Sequence, residues 1–165
     1  MITRLSLLLL LTCSLILPAQ AQVSLAGLAD EANAGWMFGT WKTTTDNGDS
    51  LQLDVAWDLD KHMVVLTVKT GNVLAKCYTV LEPGAEFPTY FGADNRGTVS
   101  KGNWNYEDGE LILRLESSRP YESPRKWASV FGGNASSGLE LRLHSVESWG
   151  GLTYPAMTTM KFKKQ

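Results

Sequence analysis

Three side chains in this sequence are the best suited to chemistry, and they are His62, His144 and Cys77. An imidazole beside a thiol or a bound substrate can act as a general base, so an enzyme built on this chain would depend on His62 or His144. Cys77 lies in the apolar run Val73 to Leu81, which favours a small buried strand residue over a nucleophile. With one cysteine and two histidines beyond residue 21, the chain cannot form a four-ligand Cys/His zinc site, and no metal is predicted.

The surroundings of His144 show a strand-like alternation. Leucines occupy positions 139, 141 and 143, and the alternate positions are Glu140, Arg142 and His144. We expect this polar face to contact solvent, and the alternative is a polar barrel interior in which the imidazole would form a site. No H-E-x-x-H, G-x-S-x-G or phosphate-binding glycine motif is present, so no catalytic residue and no cofactor are assigned.

Aromatic side chains are the second set of candidates, because small-molecule sites are commonly lined by apolar and aromatic residues with a few polar groups. Tyrosine and tryptophan carry a polar group on an apolar ring, which suits them to such a site as well as to a core. The residues predicted to contact a ligand are Trp57, Tyr78, Tyr90, Trp104, Tyr106 and Trp127.

The elements that must position these residues are short strands. From Trp36 onward, segments rich in Val, Leu, Thr and aromatics are repeatedly closed by Asn, Asp and Gly. Ser50 to Trp57 alternates cleanly, and Gly71-Asn72 and Glu107-Asp108-Gly109 are typical hairpin turns. The predicted strands are 38–44, 50–57, 62–70, 73–81, 89–92, 98–106, 110–116, 126–131, 139–146 and 156–162.

This pattern predicts an all-β fold, an antiparallel up-and-down barrel of about 8–10 strands, with a short helix before it between Gln22 and Ala34. Closure of the sheet would remove its exposed edges. A β-sandwich is the rival architecture, and it would need longer crossovers than these turns provide.

Met1 to Ala21 is predicted to be a signal peptide, followed by a single domain over residues 22–165. Arg4 is followed by an apolar run, and Ala19-Gln20-Ala21 is a small-x-small cleavage site. The apolar run is too short to span a bilayer, so no membrane span is expected in the mature chain. Lipid attachment at Cys13 is the less favoured alternative, because apolar residues still follow it. The protein is therefore expected to be exported, either to a periplasm or to the extracellular space.

The composition of the mature chain excludes some partners. Removing residues 1–21 takes away Arg4 and leaves 144 residues with 14 basic and 17 acidic side chains, without a long run of either sign. Nucleic acid is an unsuitable partner because phosphate neutralisation needs a basic patch. Cys77 is the single remaining cysteine, so an internal disulfide is impossible. We expect a monomer.

Gly39-Thr40-Trp41, at the head of the first strand and after a short helical segment, resembles the G-x-W signature of lipocalins and the wider calycin group. The segments Trp57–Asp60, Asp94–Thr98 and Gly102–Trp104 are similar to bacterial lipocalin-like families of unknown function. The resemblance implies a barrel with an apolar ligand or an apolar core inside.

The resemblance also implies roles for the two residues of the motif. Trp41 would pack across the barrel floor beneath a basic residue of the last strand, with Lys161 or Lys163 in that position. Gly39 would allow a close approach or a bend of the backbone. Lipocalins use an arginine as that basic residue and often carry disulfides. This chain has no arginine in its last predicted strand and a single cysteine after residue 21.

Three functions fit the sequence. The first is an extracytoplasmic barrel that binds a small, partly hydrophobic ligand. The second is an exported isomerase or hydrolase on the same barrel, and the third is a protein-binding barrel that inhibits an exported hydrolase. An open aromatic-lined cavity would favour the first, a buried imidazole paired with a carboxylate inside a cavity the second, and a filled interior with an apolar outer patch the third.

Overall fold

The computed structural model describes residues 23–134, 136 and 138–165, and it consists mainly of β-strands. The signal peptide predicted over residues 1–21 lies outside the described residues. The strands are β1 (Gly39–Thr44), β2 (Ser50–Asp58), β3 (Met63–Thr70), β4 (Val73–Val80), β5 (Thr89–Asp94), β6 (Val99–Glu107), β7 (Glu110–Ser118), β8 (Arg125–Asn134), β9 (Gly138–Ser145) and β10 (Thr158–Lys164).

Every strand pairs antiparallel with its neighbours in sequence, and β10 pairs with β1 to close the barrel. The prediction of an up-and-down barrel preceded by a short helix is therefore confirmed, with ten strands at the upper end of the predicted range. The predicted hairpins are also present. Asp108 and Gly109 both adopt positive φ, at 53° and 82°, which is the backbone conformation that a two-residue primed turn requires.

Two elements precede β1. Helix α1 (Leu25–Glu31) begins after Ser24, whose side-chain oxygen accepts a hydrogen bond from the Gly27 N–H. A 3₁₀ turn (Ala34–Met37) follows and leads into the barrel wall. Of the helices among residues 23–134, 136 and 138–165, none has the length and apolar character needed to cross a membrane.

Alternate residues of each strand point into the barrel and form one apolar core. The register places Leu53 of β2 across from Val68 of β3, and Leu113 of β7 across from Trp104 of β6. The buried members of this core are Met37, Trp41, Leu51, Leu53, Val55, Leu66, Cys77, Tyr90, Leu113, Leu115, Phe131, Leu139 and Phe162. The interior of the barrel is thus filled across its middle.

Trp41 anchors the end of the barrel at which β1 begins, hereafter the helix end. Its indole is fully buried, and its Nε1–H donates to the carbonyl of Met37 at 2.7 Å. This bond ties the 3₁₀ turn to the barrel wall. Gly39 has a φ of 126°, and a Cβ there would lie 2.9 Å from Cε of Lys164. The positive φ is what requires glycine, since the Lys164 side chain that a Cβ would meet can move.

The cation over Trp41 is Lys164, with Nζ at 5.2 Å from the ring centroid, so the assignment to Lys161 or Lys163 is wrong. The register explains the difference. Phe162 points inward, and the next inward position is Lys164, which pairs with Trp41 across the β1–β10 seam. Lys161 points outward, toward Glu140 at 3.9 Å, and Lys163 pairs with Lys42 on the same outer face. The last strand also extends two residues beyond the predicted limit.

Candidate functional site

A cavity of about 320 Å³ lies at the helix end, between α1 and the apolar core. This volume is at the lower limit for small-molecule pockets. The lining is mostly apolar, and it consists of Leu25, Leu28, Ala29, Glu31, Ala32, Ala34, Met37, Phe38, Val55, Val64, Thr79, Glu86, Phe87, Pro88, Trp104, Asn105, Tyr106 and Leu111.

Helix α1 covers the cavity with one face. Leu25, Leu28, Ala29 and Ala32 all line it, and their spacing of three and four residues places them on the same side of the helix. Two of the four are alanines, so the helix lies over the barrel without filling the space beneath it. Ala26 and Asp30 of the same helix are not part of the lining.

The wall of the cavity carries one internal pair of polar groups. Nε1–H of Trp104 donates to Oγ1 of Thr79 at 2.9 Å, which satisfies the indole inside the barrel. The Trp104 ring also packs against Phe131, with the centroids 5.3 Å apart. On the other side, Phe38 lines the cavity and stacks on Trp57 at 4.7 Å. The aromatic rings are therefore held in place by contacts outside the cavity.

The mouth of the cavity is marked by lining residues that also contact solvent. Phe87 is 42% exposed and Tyr106 is 50% exposed, although both line the cavity. Glu31 at the end of α1 and Glu86 in the β4–β5 loop are exposed as well. The opening therefore lies between the end of α1, the β4–β5 loop and the end of β6.

Below the cavity, the core contains a buried polar pair. The Tyr90 hydroxyl donates to Sγ of Cys77 at 3.0 Å, and a Cβ at position 92 would lie 2.7 Å from that sulfur, so Gly92 provides the space. Burial raises the pKa of the Cys77 thiol, against a smaller lowering by the Tyr90 hydrogen bond. Burial and the adjacent Cys77 also raise the pKa of the Tyr90 phenol. Both groups are therefore held neutral, which suits a core position rather than a nucleophile.

The six aromatic residues predicted to contact a ligand lie in different places. Trp104 and Tyr106 line the cavity, and Trp57 is one ring away from it through Phe38. Tyr90 lies in the buried core, and Trp127 packs against that core from a partly buried position. Tyr78 is on the outer face of β4, because its neighbours Cys77 and Thr79 point inward.

Neither histidine lines the cavity. His62 is exposed and follows the 3₁₀ turn Leu59–Lys61. His144 is on the outer face of the barrel, as expected, but it does not contact solvent: it is 1% exposed, so the expectation of a solvent-facing imidazole is wrong. The reason is that residues 146–157 fold back over this face. Among the described residues, no group of three or more His, Cys, Asp or Glu side chains is arranged to hold a metal ion.

Residues 146–157, the covering segment, are attached to the sheet by several hydrogen bonds. The backbone N–H groups of Thr153 and Met157 donate to the carbonyls of Ser145 and Leu143. Nδ1–H of His144 donates to the Thr153 carbonyl at 2.9 Å, and its ring meets Tyr154 edge-on at 5.0 Å. The covering segment and the sheet enclose a second apolar cluster, the outer cluster, formed by Ile112, Ala128, Val130, Val146 and Leu152.

A different part of the outer face is apolar and exposed. Tyr78 of β4 lies directly across from Phe91 of β5, and these side chains are 39% and 52% exposed. Leu74, Val80 and Val99 are exposed on the same side of the sheet. Within residues 23–134, 136 and 138–165, no segment covers this outer apolar row as residues 146–157 cover the other part of the outer face.

The sequence interpretation missed most of the residues that line the cavity. It predicted a short helix between Gln22 and Ala34, but it did not identify Ala29, Ala32 or Phe87 as lining residues. The pattern that could have identified the helix residues is the spacing of Leu25, Leu28, Ala29 and Ala32, which is typical of a helical apolar face built partly of alanine. No protein-family model matches this chain, and no curated protein matches it in sequence.

Proposed function

We propose that this protein is an exported, lipocalin-like barrel that binds a small, partly apolar molecule in the cavity beneath α1. The observation that carries the proposal is the cavity of about 320 Å³ with a mostly apolar lining and a solvent-facing mouth. The walls of an apolar cavity larger than a water molecule lose packing contacts, and an apolar ligand that fills the cavity restores them.

The polar groups at the cavity support binding more than catalysis. The Thr79 hydroxyl satisfies the Trp104 indole N–H, and neither imidazole of the described chain lines the cavity. The carboxylates in the lining, Glu31 and Glu86, are exposed at the mouth, so the apolar interior provides burial and orientation more than acid–base chemistry. An enzyme that uses His62 or His144 as its base is therefore a weaker proposal.

A fluorescence titration with 2-naphthalenemethanol, a neutral aromatic alcohol, tests the proposal. Ala29→Phe puts an aromatic ring into the cavity from the helix, so we expect the dissociation constant to rise by about tenfold or more, or about 1.4 kcal/mol. Ala26→Phe is the matched control, because Ala26 is on α1 but does not line the cavity. Equal affinity for the wild type and Ala29→Phe would refute binding at this site.

The outer apolar row favours a second candidate function, a protein-binding barrel that inhibits an exported hydrolase. Exposed apolar patches commonly mark interaction surfaces, and Phe91 is half exposed at the centre of this one. Inhibition of secreted glycoside hydrolases and proteases should then be lost in Phe91→Glu and retained in Thr159→Glu, which changes an exposed residue of β10. The open cavity places this candidate second.

A further inference from the structure

We infer that the cavity selects ligands that carry a cationic head, such as a small aromatic or aliphatic amine, and rejects the matching carboxylates. This inference rests on the proposed function, since it concerns the ligand of the same cavity. It follows from the charges around the mouth and from the apolar character of the space behind it.

The lining of the cavity contains two charged side chains, and both are acidic: Glu31 from α1 and Glu86 from the β4–β5 loop. They come from two of the three segments that form the mouth. Within the described part of the chain, neither carboxylate takes part in an ion pair or hydrogen bond. No lysine, arginine or histidine belongs to the lining. The mouth therefore has negative charge that is free to pair with a ligand.

The apolar interior determines where a charged head would lie. Burying an unpaired charge is costly, so a ligand with one apolar end and one charged end places the apolar part inside and the charge at the mouth. There a cation meets Glu31 and Glu86, whereas an anion is repelled by them. The end of α1 acts in the same direction, because helix C-termini carry partial negative charge and this helix has no basic residue in its last turn.

The neighbouring turns add to the same field. Asp58 ends β2 and Asp60 lies in the turn that follows it, at the helix end. Lys61, Lys163 and Lys164 are cations at this end, and none of them lines the cavity. Arg114 and Arg142 are held in ion pairs with Glu107 and Glu110 beside the β6–β7 turn. Lys164 is held over the Trp41 ring. The potential at the mouth is thus set mainly by carboxylates, and it favours the approach of cations.

Three probes with one ring system test the inference: 2-naphthylmethylamine, 2-naphthalenemethanol and 2-naphthoate at pH 7 and low salt. We expect the amine to bind at least about tenfold more tightly than the carboxylate, with the alcohol between them. Glu31→Gln and Glu86→Gln should each lower the amine-to-carboxylate ratio by about threefold. Glu82→Gln is the control, since Glu82 is in the same loop as Glu86 but does not line the cavity.

The outcomes separate the two proposals. Failure of all three probes to bind would refute the proposed function itself. Binding of the alcohol with equal affinities for amine and carboxylate would refute the charge selection and leave the function standing. An amine preference that persists unchanged in the double variant Glu31→Gln, Glu86→Gln would also refute the assignment to these two carboxylates.

Discussion

Two segments of this protein cover apolar surfaces of the barrel, and they do so with opposite results. Helix α1 lies over the interior at one end and leaves a cavity of about 320 Å³ beneath it. The covering segment, residues 146–157, lies on the outer face and encloses Ile112, Ala128 and Val130 at 5%, 0% and 2% exposure. The covering segment therefore buries the apolar surface of the outer cluster completely, whereas helix α1 buries the apolar surface at the helix end only in part.

The difference distinguishes an apolar region that the protein itself fills from one in which space remains. The covering segment is bonded to the sheet through Ser145, Leu143 and His144, so its position follows from protein–protein contacts alone. Helix α1 presents alanines to the cavity, and space remains that a ligand can fill. We therefore expect the outer cluster to contribute to stability, and we propose the cavity as the binding site.

The largest expected effect comes from truncating one leucine-sized residue in each region. Ile112→Ala should lower the free energy of unfolding by about 2–4 kcal/mol, because it creates a new void in the outer cluster. Leu28→Ala should cost about 1 kcal/mol or less, since Leu28 is partly exposed and already borders a void. Urea denaturation of both variants checks this. Equal losses would contradict the contrast between the two regions.

A second effect concerns the core beneath the cavity and appears at alkaline pH. Burial raises the pKa of Cys77 above its ordinary value of 9.0, so the native thiol keeps its proton where the unfolded chain loses it. The unfolded state then binds fewer protons, and stability falls as pH rises above about 9, by up to about 1.4 kcal/mol per pH unit.

This pH dependence is measured by urea unfolding between pH 8 and pH 9.5. We expect a shallower decline in Cys77→Ala than in the wild type, and the slope rather than the absolute stability is the quantity compared. The Tyr90 phenol, whose pKa is also raised, adds to the decline at higher pH. An unchanged slope in Cys77→Ala would show that the thiol ionises as readily in the folded protein as in the unfolded chain.

The smallest expected effect concerns the contact between Lys164 and Trp41 at the helix end. Lys164→Met removes the cation over Trp41 and should lower stability by about 0.5–1 kcal/mol, in the range of an exposed cation–π contact. Lys163→Met is the control, because Lys163 points outward, and it should change stability little. Thermal unfolding followed by near-UV circular dichroism, which reports on the packing of aromatic side chains, distinguishes the two. A larger loss for Lys163→Met would contradict the register of the last strand.

The fold could be predicted from the sequence because the patterns that indicate its strands and turns are local. Alternation in Ser50 to Trp57 and turn residues such as Gly71-Asn72 define strands and hairpins within a few residues, and sequential hairpins leave little freedom in topology. The pairing of β10 with β1 was harder to predict, because the inward position of Lys164 depends on β10 extending past Phe162 and pairing with β1.

The candidate site was only partly predictable, because it depends on contacts between distant segments. Trp104 and Tyr106 were identified by residue type, whereas Tyr78 belongs to the same type and lies on the outer face. The burial of His144 depends on how residues 146–157 fold back, and no local pattern determines that. The cavity is a space between α1 and the sheet, and no sequence motif indicates such a space.

The central claim is that the cavity beneath α1 binds a small apolar molecule, and a crystal soaked with 6-bromo-2-naphthalenemethanol tests it most directly. Anomalous scattering locates the bromine without bias from the protein model. We predict one strong bromine peak inside the cavity, among Leu28, Val64 and Trp104. A cavity without bromine, with peaks only along the outer row of Tyr78 and Phe91, would contradict the account and favour a protein-binding barrel.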